Sequence, residues 1–209
     1  MEDLYVVLVE QVRQQSVLEV VAVTFSLLYP WLAARQNILC WPAALISTTL
    51  YVYIFWEVSL PFNSLLNMYY LVMAIYGWLR WQKTTQNDVL KVSVVPLVVH
   101  LWMVSLLVVM GLALPHLVTL SWQGSDLYLD AFVTVFSVYA TYLMANKVLE
   151  NWLFWIVINT FAAYLYFING LLLTGVMFIW YFGLAIYGYI KWKKAYKVES
   201  LPEEAYQKI

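Results

Sequence analysis

Seven runs of apolar residues divide the chain, each of helix-spanning length and each closed by a short polar break. They fall at Val17–Ala34, Ile38–Trp56, Phe62–Trp81, Val92–Leu114, Leu127–Ala145, Leu149–Ile168 and Leu171–Trp192. About 20 residues of helix cross a hydrocarbon core of roughly 30 Å, so each run predicts a transmembrane helix. The breaks carry turn chemistry: RQN at Arg35–Asn37, VSLPF at Val58–Phe62 and NG at Asn169–Gly170. Lys83–Lys91 is the longest polar stretch between runs, and the tail after Trp192 is polar and mixed in charge.

Composition agrees with a membrane setting. Of 209 residues, 64% are hydrophobic and 11% charged, with a mean hydropathy of +0.76. Soluble domains carry roughly 25% charged residues. Uninterrupted apolar runs favour helices over barrel strands, so the expected fold class is an all-α integral membrane protein. A net charge of −1 gives no reason to expect a nucleic-acid partner. The single Cys40 excludes an intrachain disulfide, and His100 and His116 are too few and too scattered for a metal site, so no metal or cofactor is expected. The N-terminus MEDLYVVLVEQVRQQ has acids where a signal peptide would carry Lys or Arg, so no cleaved segment is expected.

The chain also repeats itself. Ala74–Trp81 reads AIYGWLRW and Ala185–Trp192 reads AIYGYIKW, 111 positions apart. The same offset of 111 pairs Trp41 with Trp152, Tyr53 with Tyr164, Tyr70 with Tyr181 and Glu19 with Asp130. A gapless register across three spans predicts a duplicated triple-helix unit, at 17–82 and 127–192, around a linker helix at 91–114, with a cytoplasmic tail at 193–209. The linker helix restores the orientation of the second unit, so this 3+1+3 arrangement is parallel, with the expected substrate site between units near the midplane. Seven spans put the termini on opposite sides. Arg13 stands alone on one side, against Arg35, Arg80, Lys83, Lys91, Lys147, Lys191, Lys193, Lys194, Lys197 and Lys208 on the other. The positive-inside rule places the N-terminus outside and the C-terminus in the cytoplasm.

Candidate chemistry lies on aromatic helix faces. In the sixth span Trp152, Trp155 and Asn159 share one face, and Asn159 stands at mid-depth, where an amide must face the protein interior. The offset pairs Asn159 with Thr48. In the third span Asn67, Tyr70, Ala74 and Trp81 share a face; in the seventh, Phe178, Tyr181, Ala185 and Trp192 do. Such a lining suits a flat, cationic ring held by stacking and cation–π contact. The substrate-binding candidates are Trp41, Thr48, Asn67, Tyr70, Trp152, Trp155, Asn159 and Tyr181. Packing or interhelical hydrogen bonding competes as an explanation for each. Beside Arg80 and Lys191, the aromatics Trp78, Trp81, Tyr189 and Trp192 are expected in an interfacial belt, with Gly77 and Gly188 allowing close helix contact. No span carries an ionisable relay at its centre, and there is no Walker A sequence or catalytic constellation, so no enzyme activity is expected and facilitated diffusion is.

YGWLRW closing the third helix and ENWLFWIVIN opening the sixth, within duplicated triplets, resemble the PnuC family of bacterial vitamin transporters over Val17–Trp192. The resemblance implies an inner-membrane homotrimer whose fold resembles a full-length duplication of SemiSWEET-type units. It also implies uptake with trapping by a cytoplasmic vitamin kinase. Members that carry nicotinamide riboside commonly have Asn immediately before IYGW, where this chain has Ala74. Ala74 is therefore the candidate specificity position, and thiamine, the substrate of the PnuT branch, is expected first, with nicotinamide riboside as the alternative. A SWEET-like sugar carrier and a non-transporting membrane scaffold are the more distant rivals.

Overall fold

The computed structural model describes residues 16–57, 61–82, 90–118, 127–168 and 172–199. The N-terminal stretch with Arg13, the break at 58–60, the polar stretch 83–89 with Lys83, the Asn169–Gly170 turn and the tail at 200–209 with Lys208 lie outside the described residues.

Among the described residues the chain forms seven helices: α1 (Val17–Ala34), α2 (Cys40–Glu57), α3 (Pro61–Gln82), α4 (Leu97–Val118), α5 (Leu127–Ala145), α6 (Asn151–Ile168) and α7 (Leu172–Glu199). Five of them, α1, α4, α5, α6 and α7, are long and apolar enough to cross a membrane, and α2 is apolar over the shorter stretch Cys40–Ile54. Several boundaries shift from the sequence expectation by a few residues, and two of the larger shifts bear on packing. The fourth helix begins at Leu97 rather than Val92, because Pro96 disfavours helical geometry in the residue before it and its own carbonyl accepts the first helical bond, from Val99 at 2.9 Å. Segment 92–95 instead runs beside the α5–α6 turn, where Ser93 N donates to Lys147 O at 3.0 Å and Leu149 N to Ser93 O at 2.8 Å. The last helix continues past Trp192 to Glu199, whose carboxylate accepts from Val92 N at 2.9 Å.

Local chemistry sets the remaining ends. Ser16 caps α1 in a reciprocal capping box with Glu19, which assigns that acid a structural bond. The C-termini of α1 and α5 close in the same way. Asn37 N reaches back to Leu32 O and Gln36 N to Ala33 O; in the other turn Val148 N reaches Leu143 O and Lys147 N reaches Met144 O. Both are Schellman closures, and both put a non-glycine residue in the left-handed region, Gln36 at φ 54° and Lys147 at φ 52°.

Neighbouring helices pack as α1 on α2, α2 on α3, α5 on α6 and α6 on α7; the two groups meet through α1 against α7 and α3 against α5. Helix α4 packs on α5 and leaves most of its apolar surface exposed, including Leu97 and Trp102. Here His100 is buried, bonded through Nδ1 to the Tyr139 hydroxyl at 3.1 Å and 3.9 Å from Glu150. One core gathers at the end of the bundle where α1, α3, α5 and α7 finish, and it is built around Trp41, Trp81, Trp152 and Trp192.

Candidate functional site

The octapeptide repeat ends in this core. Trp81 and Trp192, expected in an interfacial belt, are 7% and 0% exposed. The reason is a bond across the bundle: Trp81 Nε1 donates to Ala145 O of α5 at 3.1 Å, and Trp192 Nε1 donates to Ala33 O of α1 at 3.0 Å. Their rings meet at 6.1 Å. Each also takes a second tryptophan edge-on, Trp41 against Trp81 at 5.3 Å and 89°, and Trp152 against Trp192 at 5.4 Å and 89°. A continuous row of four indoles thus runs Trp41–Trp81–Trp192–Trp152 across the bundle. Gly77 and Gly188 make room for it, since a Cβ there would stand 2.6 Å from Trp152 at Gly188 and closer still to Trp41 at Gly77. The glycines therefore admit rings rather than a neighbouring backbone. The indole N–H groups of Trp41 and Trp152 are buried without an acceptor among the described residues.

The row is locked from the basic end. Lys147 Nζ donates to Gln36 Oε1 at 3.2 Å and lies 4.7 Å above the Trp81 ring. Burial holds the Lys147 pKa below the ordinary lysine range, partly offset by Glu199 and Cys40. Beside it opens a cleft of about 360 Å³ lined by Ala34, Arg35, Gln36, Tyr187 and Lys191. Tyr187 and Tyr189 sit under Lys191 and Lys193 at 5.6 and 5.3 Å, and Trp31 under Arg35 at 4.0 Å, which is the cation-bearing aromatic fringe expected at an interface.

A second set of groups lies nearer the helix midpoints. Tyr181 of α7 donates to Ser26 Oγ of α1 at 2.9 Å, and Tyr51 of α2 also faces Ser26. Tyr70 of α3 faces Ser137 of α5, and Tyr69 donates to Val138 O at 2.9 Å. Tyr166 of α6 stacks on Phe178 at 5.1 Å and 19°, and Phe178 meets Tyr181 edge-on at 5.6 Å. Asn159 is 3% exposed, on the face of α6 that also carries Trp152 and Trp155. Thr48 turns back on its own helix, donating to Ala44 O at 2.8 Å.

The site residues expected from sequence thus divide. Trp41, Trp152 and Ala74 belong to the indole core, with Trp155 packed on its edge. Tyr70 and Tyr181 bridge the two helix groups, whereas Thr48 makes its bond within α2. Asn67 is half-buried and partnered. Ala74 is 1% exposed, as is Ala185 111 positions on, so packing accounts for a small residue at both. Ser26, Ser137, Tyr51 and Tyr166 were not anticipated.

The family model described as Nicotinamide mononucleotide transporter matches residues 16–194. The chain belongs to the PnuC family. The nicotinamide riboside transporter PnuC of Escherichia coli (strain K12) is 28% identical over 201 residues, covering 84% of each chain. The riboflavin/roseoflavin transporter RibM of Streptomyces davaonensis is 28% identical over 142 residues, 63% of this chain and 64% of that one. The crystal structure of the vitamin B3 transporter PnuC superposes with a TM-score of 0.72 at 27% identity, covering 94% of this chain and 89% of the other. As a PnuC-family vitamin transporter, the chain is a helical, multi-pass membrane protein.

Proposed function

We propose that this chain imports nicotinamide riboside across the bacterial inner membrane by facilitated diffusion. The observation that carries the choice is the place of Asn159, an amide 3% exposed on the face shared by Trp155 and Trp152. An amide both donates and accepts, so it can pair with the carboxamide of a ligand in both directions. The case for thiamine rested on Ala74, whose burial in the indole core gives it a packing reason, and the relatives above are named for nicotinamide riboside and riboflavin.

In this reading the chain is a 3+1+3 duplication of SemiSWEET-type triplets with seven spans, α4 being the linker. Support comes from contacts that recur at the repeat offset: Trp41 with Trp81 and Trp152 with Trp192, Gly77 and Gly188 under their indoles, and the two matched helix closures. The indole row closes the cytoplasmic end, and the vitamin binds above it, its ring against Trp155 and Tyr70, with Asn159, Asn67 and Thr48 giving direction. The transporter assembles as a homotrimer, and a cytoplasmic kinase traps the product. The N-terminus lies outside; a tag after Ile209 should be labelled only from the cytoplasm, and periplasmic labelling would overturn that orientation.

Binding of nicotinamide riboside, riboflavin, thiamine and glucose to the purified protein tests the assignment. Nicotinamide riboside should bind, and Asn159→Ala and Trp155→Ala should each weaken it, by roughly tenfold per 1.4 kcal/mol lost. Tight thiamine binding with no response to nicotinamide riboside would refute the substrate. Binding of glucose alone would point to a sugar carrier, and binding of none of the four to a scaffold.

A further inference from the structure

Resting on the transporter reading above, we infer that Ser26 and Ser137, with the tyrosines facing them, form a subsite for the polyhydroxylated arm of the transported vitamin. Two Tyr–Ser pairs cross between the helix groups: Tyr181 to Ser26 at 2.9 Å, and Tyr70 facing Ser137. Their members are related residue for residue by the 111-position repeat, Ser26 to Ser137 and Tyr70 to Tyr181. Tyr51 approaches Ser26 from a third helix, and the stacked Tyr166–Phe178 pair walls the group on the side of Tyr181.

Interhelical hydrogen bonding alone would need one partner per serine. Ser26 has two facing tyrosines and also donates to Val23 O at 2.8 Å, more provision than a helix contact requires. A hydroxyl both donates and accepts, so the Tyr181–Ser26 pair can open and bond a ligand hydroxyl at either end with no bond lost overall. Two carboxylates lie close enough to act on the group, Glu19 on Tyr51 and Asp130 on Tyr166, and no Lys or Arg stands within several residues of its members along the chain. The complementary group is therefore an arm rich in vicinal hydroxyls and without negative charge, of the ribosyl or ribityl type. With Asn159 available to a carboxamide, one ligand can use both ends of the site. Thiamine, which offers one hydroxyl on a short arm, leaves most of the group unused.

The test is calorimetric titration of the full-length chain with nicotinamide riboside and with 1-methylnicotinamide, which keeps the cationic ring and carboxamide but lacks the sugar. Ser26→Ala/Ser137→Ala, and separately Tyr181→Phe as the milder change, should weaken nicotinamide riboside by about tenfold or more. Binding of 1-methylnicotinamide should stay within about twofold, the size expected when no ligand bond is lost. Failure of 1-methylnicotinamide to bind even the unsubstituted chain also supports the subsite, because the sugar would then be essential. Equal losses for both ligands, or no loss for nicotinamide riboside, would overturn the subsite and leave the transporter assignment standing. If the unsubstituted chain binds neither nicotinamide riboside nor riboflavin, the substrate assignment falls and the subsite with it.

Discussion

A single methyl group tests the indole row. In Gly188→Ala the new Cβ would stand 2.6 Å from Trp152 Cδ2, Cε2 and Cε3, where carbon atoms prefer about 3.5–4.0 Å. The ring must retreat by about 1 Å, yet Trp152 is 1% exposed and held edge-on by Trp192 at 5.4 Å. Overpacking of this kind costs about 1–3 kcal/mol, and spoiling an aromatic pair about 0.5–1.5 kcal/mol more. Replacing a helical glycine by alanine returns ~1 kcal/mol, leaving a net loss of roughly 0.5–3.5 kcal/mol. Gly77→Ala meets Trp41 still more closely and should lose at least as much. Gly183, five residues earlier on α7, has nothing within 4 Å of its Cβ position, so Gly183→Ala should keep the ~1 kcal/mol propensity gain. For a chain of this length 1 kcal/mol moves Tm by about 2–4 °C. Thermal unfolding in detergent, followed by tryptophan fluorescence, should therefore show two variants falling and one rising. If Gly77→Ala and Gly188→Ala are as stable as Gly183→Ala, the row is not packed as described and its role in closing the bundle fails.

Trp192→Ala removes a fully buried indole and its bond to Ala33 O, so it should cost about 3–5 kcal/mol, where a belt residue would cost little. Uptake into kinase-free proteoliposomes should equilibrate labelled vitamin without a proton or sodium gradient, since no span carries an ionisable relay at its centre; an uncoupler that stopped uptake would recast Glu19 and Asp130 as coupling groups. Lys147 releases its proton sooner in the folded chain than in the unfolded one, because burial lowers its pKa. Between those two pKa values the unfolded state binds more protons, so wild-type stability rises with pH there. Relative to Lys147→Met, which lacks that titration, the wild type should gain Tm from neutral to alkaline pH; a pH-independent difference would place Lys147 in solvent.

The helices were legible because spanning runs leave a long, simple signal. Trp81 and Trp192 were misplaced for a physical reason. A tryptophan beside a cation at a helix end looks the same in sequence whether it faces lipid headgroups or a neighbouring helix. Only the carbonyls of Ala145 and Ala33, 64 and 159 positions away, decide the matter. Ser26 and Ser137 were missed because a lone serine in an apolar run hardly disturbs its periodicity, although the repeat offset links them and could have raised them. Pro96 did mark the true start of α4, but the apolar run continues across it to Val92.

Two residues in the left-handed region remain to be accounted for, since glycine would relieve both Gln36 and Lys147. Each pays backbone strain to keep a side chain, and the two side chains bond to each other at 3.2 Å. Under the duplicated architecture proposed above, these are equivalent positions, 111 apart, meeting at the axis between the repeats. Identical copies would bring like to like there, and two lysines would repel. Once the copies are fused in one chain, the positions can diverge, one into an acceptor amide and the other into an ammonium donor. The contact then becomes a charge-assisted hydrogen bond, stronger than two neutral amides would make. Placed beside Trp81, that bond ties the two helix closures together at the end of the bundle where the indole row lies, a pairing that no symmetric assembly of identical single triplets can make.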